Sequence, residues 1–214
     1  MRKFSLLDQM IHEVDVALRT LLPPQKRISQ RSSPTENKSF TETLTNNQQK
    51  HVAGLMRVNH AGEVCAQALY QGQALTARLT DVKAQMISAA EEEIDHLAWC
   101  EERLIELNSQ PSLLNPIWYI GSFTIGALAG LIGDRFSLGF LAETELQVSA
   151  HLQKHLEKLP AEDKKTALIL KQMQEDEAHH ADMAKQAGAV ELPNILKYLM
   201  NKTSQIMTKT SYYI

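Results

Sequence analysis

Apolar residues recur at intervals of three and four over most of the chain beyond residue 48, which is the spacing of helices with one buried face. Prolines and short polar stretches interrupt this pattern and mark helix ends. No β-branched residues alternate over a long stretch, so the expected fold is all-α. The pattern predicts five helices, near 49–78, 81–108, 136–158, 162–187 and 192–208.

Two segments precede these helices and differ from them. In residues 1–24 the apolar positions share one helical face, which predicts an amphipathic helix that serves as a core helix or as a surface for a membrane or partner. Acidic residues such as Asp8 and Glu13 interrupt the apolar run, so we expect this stretch to be retained rather than removed as a signal peptide. Residues 25–48 are rich in Ser, Thr, Asn and Gln, a composition that predicts a polar flexible linker.

Length and composition favour one principal domain, which we assign to residues 49–214. The 214 residues are 43% hydrophobic, enough to bury a substantial core. A net charge of −3 provides no broad basic surface, which argues against nucleic acid as a partner. Cys65 and Cys100 lie in predicted helices without CxxC spacing, so we interpret them as free buried thiols of a reducing compartment, with no redox role.

Candidate chemistry begins with two motifs, EEEIDH at 91–96 and EDEAHH at 175–180, that each place a histidine three residues after a glutamate. An α-helix turns by about 100° per residue, so each position can be tested against the apolar row of its helix. Glu93 falls within that row and His96 lies at its flank. Three acidic neighbours fall on the opposite face and are expected to be solvated: Glu91, Asp95 and Glu102.

The second motif contains competing pairs with the same spacing. Glu177 and His180 fall on the apolar face of their helix, whereas Glu175 and His179 share the outer face with polar residues. Asp176 also stands three residues before His179 but fits the apolar face less well. The helical phase therefore selects Glu177 and His180.

Two further glutamates lie within apolar rows, Glu63 in the first predicted helix and Glu145 in the third. Each of four helices thus carries one inward carboxylate. The offset from Glu63 to Glu145 is 82 residues, and the offset from Glu93 to Glu177 is 84. Such matched spacings indicate two helix hairpins related by a pseudo-twofold axis.

Four buried carboxylates without a buried Lys or Arg would repel one another strongly, and two divalent cations would neutralise them. Four glutamates with two Glu-x-x-His pairs are the ligand pattern of a dinuclear carboxylate site in a four-helix bundle. Carboxylate-rich ligation favours iron or manganese over zinc or copper, and iron suits oxygen chemistry best. The predicted metal ligands are Glu63, Glu93, His96, Glu145, Glu177 and His180. Two nearby residues, His151 and Tyr70, are candidates for contacts around these ligands rather than for ligation.

Residues 116–133 form an uncharged stretch whose length and Gly126/Gly130 pair would suit a membrane-crossing helix. A single crossing would separate the first two ligand helices from the last two, so the site could not form. The segment must then return across the membrane, lie in the interface or be buried in protein, and we favour the association of residues 111–135 with one leaflet. A helix near the C-terminus is basic and amphipathic, which suits either anionic lipid headgroups or packing on the bundle. The expected location is peripheral, on the cytoplasmic face of the cell membrane.

Several stretches resemble the demethoxyubiquinone hydroxylase family of ubiquinone biosynthesis. They are Arg57-Val58-Asn59-His60-Ala61-Gly62-Glu63, Tyr70, Gly72-Gln73, Glu93-x-x-His96-Leu97, the apolar segment Pro116–Gly133, Glu145 and Glu177-x-x-His180. Some family members carry Asp where Asn59 stands here. The resemblance covers about residues 48–214 and implies the same six metal ligands in a ferritin-like bundle, with two iron ions that alternate between Fe2+ and Fe3+.

The resemblance also implies the reaction and the partners. The expected activity is O2-dependent hydroxylation of 2-polyprenyl-3-methyl-6-methoxy-1,4-benzoquinol, with the quinol itself or NADH as electron donor and with a lipid-binding protein of the pathway presenting the substrate. The alternatives are a ferritin-like or rubrerythrin-like protein that oxidises iron or reduces peroxide, and a scaffold with structural carboxylates. The apolar segment and the small number of cysteines favour the hydroxylase.

Overall fold

The computed structural model describes residues 5–22, 27–40 and 43–214. Within these ranges all regular secondary structure is helical, which confirms the all-α prediction. Residues 1–4 and 23–24 of the predicted N-terminal helix, and 25–26 and 41–42 of the predicted linker, lie outside the described residues. The helices are α1 Leu6–Leu21, α2 Asn46–Thr76, α3 Thr80–Glu106, α4 Asn115–Ile132, α5 Asp134–Leu156, α6 Lys164–Gln186 and α7 Asn194–Ser211.

Helices α2, α3, α5 and α6 form a four-helix bundle built from two antiparallel pairs, α2 with α3 and α5 with α6. The start of α5 lies beside the end of α2. There the Asp134 carboxylate accepts hydrogen bonds from the backbone N–H groups of Arg78 and Leu79, at 3.0 and 2.8 Å. The end of α6 returns to the same place, where the N–H of Val190 donates to the carbonyl of Arg135. All four helices therefore run the full length of one shared core.

Helix α4 is the crossover between the two pairs, and its backbone lies directly against that of α2. A Cβ atom added at Gly126 would overlap the carbonyl oxygen of Leu69, and one added at Gly72 would overlap that of Phe123. Only glycine leaves room for such an approach of two helix backbones. The Gly126/Gly130 pair thus packs onto a helix of the bundle.

The opposite face of α4 is apolar and exposed. Among the described residues α4 is the one helix long and apolar enough to cross a membrane, with a mean hydropathy of 1.2 and 28% of its residues buried. Its exposed apolar side chains are Ile117, Ile120, Ile125, Leu128, Leu131 and Ile132. This helix therefore has one face fitted to protein and one face suited to lipid.

Helix α1 is amphipathic as predicted, but its apolar face points away from the bundle. Inward, the side-chain amide of Gln71 in α2 donates to the backbone carbonyl of Glu13 at 2.9 Å. The apolar residues that face outward are Leu7, Met10, Ile11, Val14, Leu18 and Leu22, each at least 50% exposed. On the inward side of α1, Ala17 and Leu21 pack against an apolar cluster formed by α2, α3 and α4. The six outward residues take no part in that cluster, so most of the apolar surface of α1 is free to meet a membrane or a partner.

The described parts of the predicted linker are residues 27–40 and 43–48, and α2 already begins within the second part, at Asn46. Residues 27–40 contain no helix or strand but are anchored to α3. Arg27 donates from Nε and from one terminal nitrogen to the Glu101 carboxylate at 2.8 to 3.1 Å. Arg31 pairs with Asp95 at 2.9 Å. Polar composition alone predicted flexibility here and did not foresee these ion pairs. We refer to residues 27–31 as the strap.

The contact between α2 and α4 can be tested with Gly126→Ala. The added methyl group has no space against Leu69, so the substitution should lower the free energy of unfolding by about 1–3 kcal/mol. The matched control is Gly121→Ala in the same helix, where a Cβ meets nothing within 4 Å. Because alanine favours helix, this control should be neutral or stabilising by up to about 1 kcal/mol. Urea unfolding measures both, and equal effects would contradict the close packing.

Candidate metal centre

Each bundle helix brings one glutamate to the middle of the bundle, and α3 and α6 each add a histidine. None of these six residues is more than 2% exposed: Glu63, Glu93, His96, Glu145, Glu177 and His180. Four of them offer ligand atoms within 4.8 Å of one another, namely Glu63, Glu93, His96 and Glu177. His180 and Glu145 adjoin this cluster, through Glu93 and Glu177 respectively. The structure thus brings together all six residues that helical phase selected.

Both imidazole rings direct Nδ1 toward the carboxylates. His96 Nδ1 lies 2.9 Å from Glu93 Oε2 and 3.2 Å from Glu177 Oε1. His180 Nδ1 lies 3.5 Å from Glu93 Oε1 and 3.6 Å from Glu177 Oε2. Each histidine therefore faces the same two carboxylates, Glu93 and Glu177. Nδ1 is the nitrogen that each ring would offer to a metal.

The outer nitrogen of each ring has a carboxylate partner that the sequence analysis missed. His96 Nε2 lies 2.9 Å from Asp176 Oδ2, and His180 Nε2 lies 3.0 Å from Glu92 Oε2. A carboxylate that accepts the Nε2 proton fixes the ring orientation and leaves Nδ1 free to bind a metal.

A sequence signal for these two partners existed. Glu92 and Asp176 are the residues immediately before the glutamate of each Glu-x-x-His motif, and the offset from 92 to 176 is again 84. Each acid supports the histidine of the other motif, so the two motifs are coupled across the bundle. The positions of Glu92 and Asp176 relative to the apolar rows of their own helices did not predict these contacts, because the partner histidine belongs to a different helix in each case.

The electrostatics of the cluster reflect the crowding of negative charge. Burial and the neighbouring Glu93 carboxylate raise the pKa of Glu63 well above its ordinary value. Burial and the charge of Glu177 do the same to the pKa of Glu145. Burial alone would lower the pKa of His180, but its carboxylate partners Glu177 and Glu93 raise it to about 12. These pKa shifts show that the cluster concentrates negative charge, which positive charge at its centre would offset.

The donor atoms fit a pair of metal ions. Six buried atoms of the cluster have no hydrogen-bond partner among the described residues: Glu63 Oε2, Glu93 Oε1, both oxygens of Glu145, Glu177 Oε2 and His180 Nδ1. A buried polar atom without a partner costs about 1–3 kcal/mol, so six converging atoms indicate a cationic ligand. A set of four carboxylates and two imidazoles suits iron or manganese.

Most assignments of helical phase are confirmed and one is wrong. Glu91, Glu102, Glu175 and His179 are exposed as predicted. Asp95, predicted to be solvated, is 2% exposed, because residues 30 and 31 of the strap cover it. The phase of an isolated helix could not reveal this, since the covering segment comes from a distant part of the chain.

The residues predicted to surround the ligands occupy different places. His151 lines a pocket of about 120 Å3 between α2, α5 and α7, together with Gly62 and Glu63. Burial and then the charges of Lys158 and Lys154 lower the pKa of His151 to about 4, so its ring is neutral near pH 7. Tyr70 is fully buried among apolar side chains, as a core aromatic would be.

Both cysteines are free thiols, in agreement with the sequence; Cys100 is buried as predicted, whereas Cys65 is only partly buried. Burial raises the pKa of Cys65 to about 11, and burial together with the Glu63 charge raises that of Cys100 well above its usual range. Both thiols stay protonated at neutral pH, which gives neither the reactivity of a thiolate.

Comparison with known proteins identifies close relatives of this chain. A family model for the ubiquinone biosynthesis protein COQ7 matches residues 50–211, which span almost all of α2 to α7. The chain is 69% identical to the 3-demethoxyubiquinol 3-hydroxylase of Legionella pneumophila (strain Corby), over the whole of both chains. It is 58% identical, again over both whole chains, to the 3-demethoxyubiquinol 3-hydroxylase of Acinetobacter baylyi.

The assignment of ligands within the second motif can be tested by metal content. Glu177→Ala or His180→Ala removes a buried donor and should lower metal loading from about two ions per chain to one or fewer. The matched controls, Glu175→Ala and His179→Ala, alter exposed side chains of the same helix and should leave loading unchanged. Elemental analysis of the purified variants measures this. Equal losses from both pairs would refute the assignment.

Proposed function

The chain belongs to the COQ7 family of ubiquinone biosynthesis proteins, and we propose that it hydroxylates 3-demethoxyubiquinol with O2 at a centre of two iron ions. The observation that carries this proposal is the convergence of two Glu-x-x-His pairs and two further glutamates in the bundle core. The proposed ligands are those six residues, Glu63, Glu93, His96, Glu145, Glu177 and His180. The names of the relatives state 3-demethoxyubiquinol as the substrate of those proteins, and we propose the polyprenyl form of this quinol for the present chain.

Iron is proposed because O2 activation at this Glu/His cluster would use a metal that changes its oxidation state, which zinc, calcium and magnesium do not provide. When bound, the two irons would supply electrons to O2 and a template on which O2 and substrate meet. The contribution of the protein is to hold the donor atoms in place, through the carboxylates of Asp176 and Glu92 behind the two histidines. The apolar walls around the cluster exclude water from it.

The pocket between α2, α5 and α7 offers a route for the quinol ring to Glu63. Its volume of about 120 Å3 is of the order of one substituted benzene ring, and Gly62 keeps its wall free of a side chain. His151 Nε2 is buried and has no hydrogen-bond partner among the described residues. A neutral imidazole there can exchange a hydrogen bond with a ring hydroxyl group and so orient the ring toward the metals.

We further propose that the protein lies on a membrane through α1, α4 and α7. Helix α4 touches both neighbours: Phe123 and Tyr119 share an apolar cluster with Ala17 of α1, and Trp118 donates to the Ser211 hydroxyl of α7 at 3.0 Å. The outward apolar residues of α7 are Ile195, Tyr198, Leu199 and Ile206. Neighbouring helices with exposed apolar faces suit an interfacial position better than a single crossing.

A membrane position next to α7 places the lipid phase beside the pocket that leads to Glu63, because Met200 and Met207 of α7 line that pocket. The polyprenyl tail would remain in the bilayer while the ring enters. We propose the cytoplasmic face of the cell membrane as the location, NADH as the electron donor, and a lipid-binding protein of the pathway as an additional partner.

The hydroxylation is tested with 18O2. Protein loaded with two equivalents of Fe2+ and supplied with a short-chain demethoxyubiquinol and NADH should insert one 18O atom into the ring, detected by mass spectrometry. Glu145→Ala removes a proposed ligand and should reduce turnover at least about 100-fold, while the exposed control Glu175→Ala should retain it. Oxidation of the iron without labelled product would favour a ferritin-like or rubrerythrin-like activity instead.

The membrane position is tested by sedimentation with vesicles of phosphatidylglycerol and phosphatidylethanolamine. Replacing Leu128 and Leu131 of α4, which are 56% and 58% exposed, by asparagine should weaken binding by at least about tenfold, since each side chain would lose apolar burial in lipid. The control substitutions Glu91→Gln and Glu102→Gln alter exposed positions of α3. Unchanged binding of the α4 variant would place the membrane contact elsewhere.

A further inference from the structure

The strap joins the surroundings of one histidine ligand through Arg31. Its Nε donates to Asp95 Oδ2 at 2.9 Å, and one terminal nitrogen donates to Asp176 Oδ2 at 2.9 Å. Asp176 Oδ2 is also the atom that faces His96 Nε2. A single carboxylate oxygen therefore receives hydrogen bonds from both the guanidinium and the imidazole.

The guanidinium is held on several sides. The backbone N–H groups of Gln30 and Arg31 donate to the two oxygens of Asp95 at 2.7 and 3.2 Å, which fixes the strap at this position. The Arg31 guanidinium also stacks over the Trp99 ring at 5.1 Å, and that ring in turn lies 5.3 Å from the His96 imidazole. Arg31 thus closes the outer side of the His96 environment.

The guanidinium nitrogen also lies 3.5 Å from His96 Nε2, but this contact is not a hydrogen bond. An arginine nitrogen can only donate, and His96 Nε2 must donate as well if Asp176 accepts its proton. Arg31 therefore acts on His96 through Asp176. The ion pair with Arg31 holds the Asp176 carboxylate in place beside the His96 ring.

The other histidine ligand has a different outer partner. His180 Nε2 faces Glu92, whose side chain is 37% exposed. Within the described part of the chain, no Arg or Lys forms an ion pair with Glu92. Both histidines direct Nδ1 toward Glu93 and Glu177. Among the described residues, however, the strap contacts the carboxylate partner of His96 and not that of His180.

We propose that Arg31 is a positioning residue for one of the two metal ions: it holds Asp176, and through it the His96 ring, in the orientation that presents Nδ1 to the metal. This inference rests on the proposed metal centre and deepens it. The two metal positions would then differ, because the ion bound by His96 depends on the strap and the ion bound by His180 does not. The segment preceding the bundle would thus contribute to the metal site.

Arginine is suited to this role in a way that lysine is not. Its planar fork spans two carboxylates from two helices, Asp95 on α3 and Asp176 on α6, with two separate nitrogens. Asp95 also accepts hydrogen bonds from the strap backbone, so the guanidinium has an anchor on α3 in addition to its contact with Asp176.

The test is an anaerobic titration of the full-length protein with Co2+ alone, followed by its visible absorption. Wild type should bind two ions. Arg31→Gln should lower the affinity for one ion by about tenfold and change the absorption of that ion, while the affinity for the other changes less than twofold. The matched control is Arg27→Gln, which removes a strap anchor on Glu101 without touching Asp176, and it should leave both affinities and both spectra as in wild type.

A double-mutant cycle identifies the path of the effect. If Arg31 acts through Asp176, then Arg31→Gln should have little further effect on Co2+ affinity in a protein that already carries Asp176→Asn. Additive losses, equal losses at both ions, or an Arg27→Gln variant with the same defect would overturn the proposal and leave the strap a purely structural element. A wild type that binds no metal would overturn the metal centre itself, whereas two ions bound with unchanged affinity in Arg31→Gln would overturn only the role of Arg31.

Discussion

The mutual repulsion of four carboxylates in one apolar core is the constraint on which the rest of the structure depends. Two unit charges 4 Å apart repel by on the order of 4 kcal/mol at the effective dielectric constant of a protein surface, and more in the interior. Burial and the neighbouring carboxylates raise the pKa values of Glu63 and Glu145. The carboxylates also raise the pKa values of the two histidines, His96 and His180. A pair of divalent cations would neutralise the four carboxylates without added protons. The bundle is therefore a scaffold whose central Glu/His cluster could hold metal ions.

Holding such a centre requires support from outside the ligand set, and the chain provides it in two layers. Asp176 and Glu92 fix the outer nitrogens of the histidines, each reaching across from the opposite motif. Behind Asp176 stands Arg31, which also fastens the strap to α3. The pseudo-twofold symmetry that relates the two Glu-x-x-His pairs extends to Asp176 and Glu92 but not to Arg31. An asymmetric outer layer is one means by which two similar metal positions acquire different affinities.

Helix α2 contributes to the Glu/His cluster, to the contact with α4 and to the pocket beside α7. It supplies Glu63, approaches α4 through Gly72, and lines the pocket beside α7. Because α1, α3, α4, α5 and α7 all pack against it, α2 is buried on almost every side and even its polar residues Asn59 and His60 lie inside. His60 faces Glu101 at 3.2 Å and Asn59 faces His155 at 2.8 Å, so these polar groups are paired. The crossover α4 completes this arrangement and leaves its other face to the outside.

The sequence by itself determined the helices of the bundle and the inward phase of the six donors, because a 3.6-residue repeat relates each glutamate and histidine to the apolar row of its own helix. It also selected Glu177 over Glu175, which the burial of the two side chains bears out. Only the tertiary structure decided which groups meet from different helices. Asp95 lies beneath the strap, Asp176 reaches His96, and the apolar face of α1 turns outward. These outcomes depend on contacts between segments distant along the chain, and the periodicity of one helix carries no information about what covers its other face.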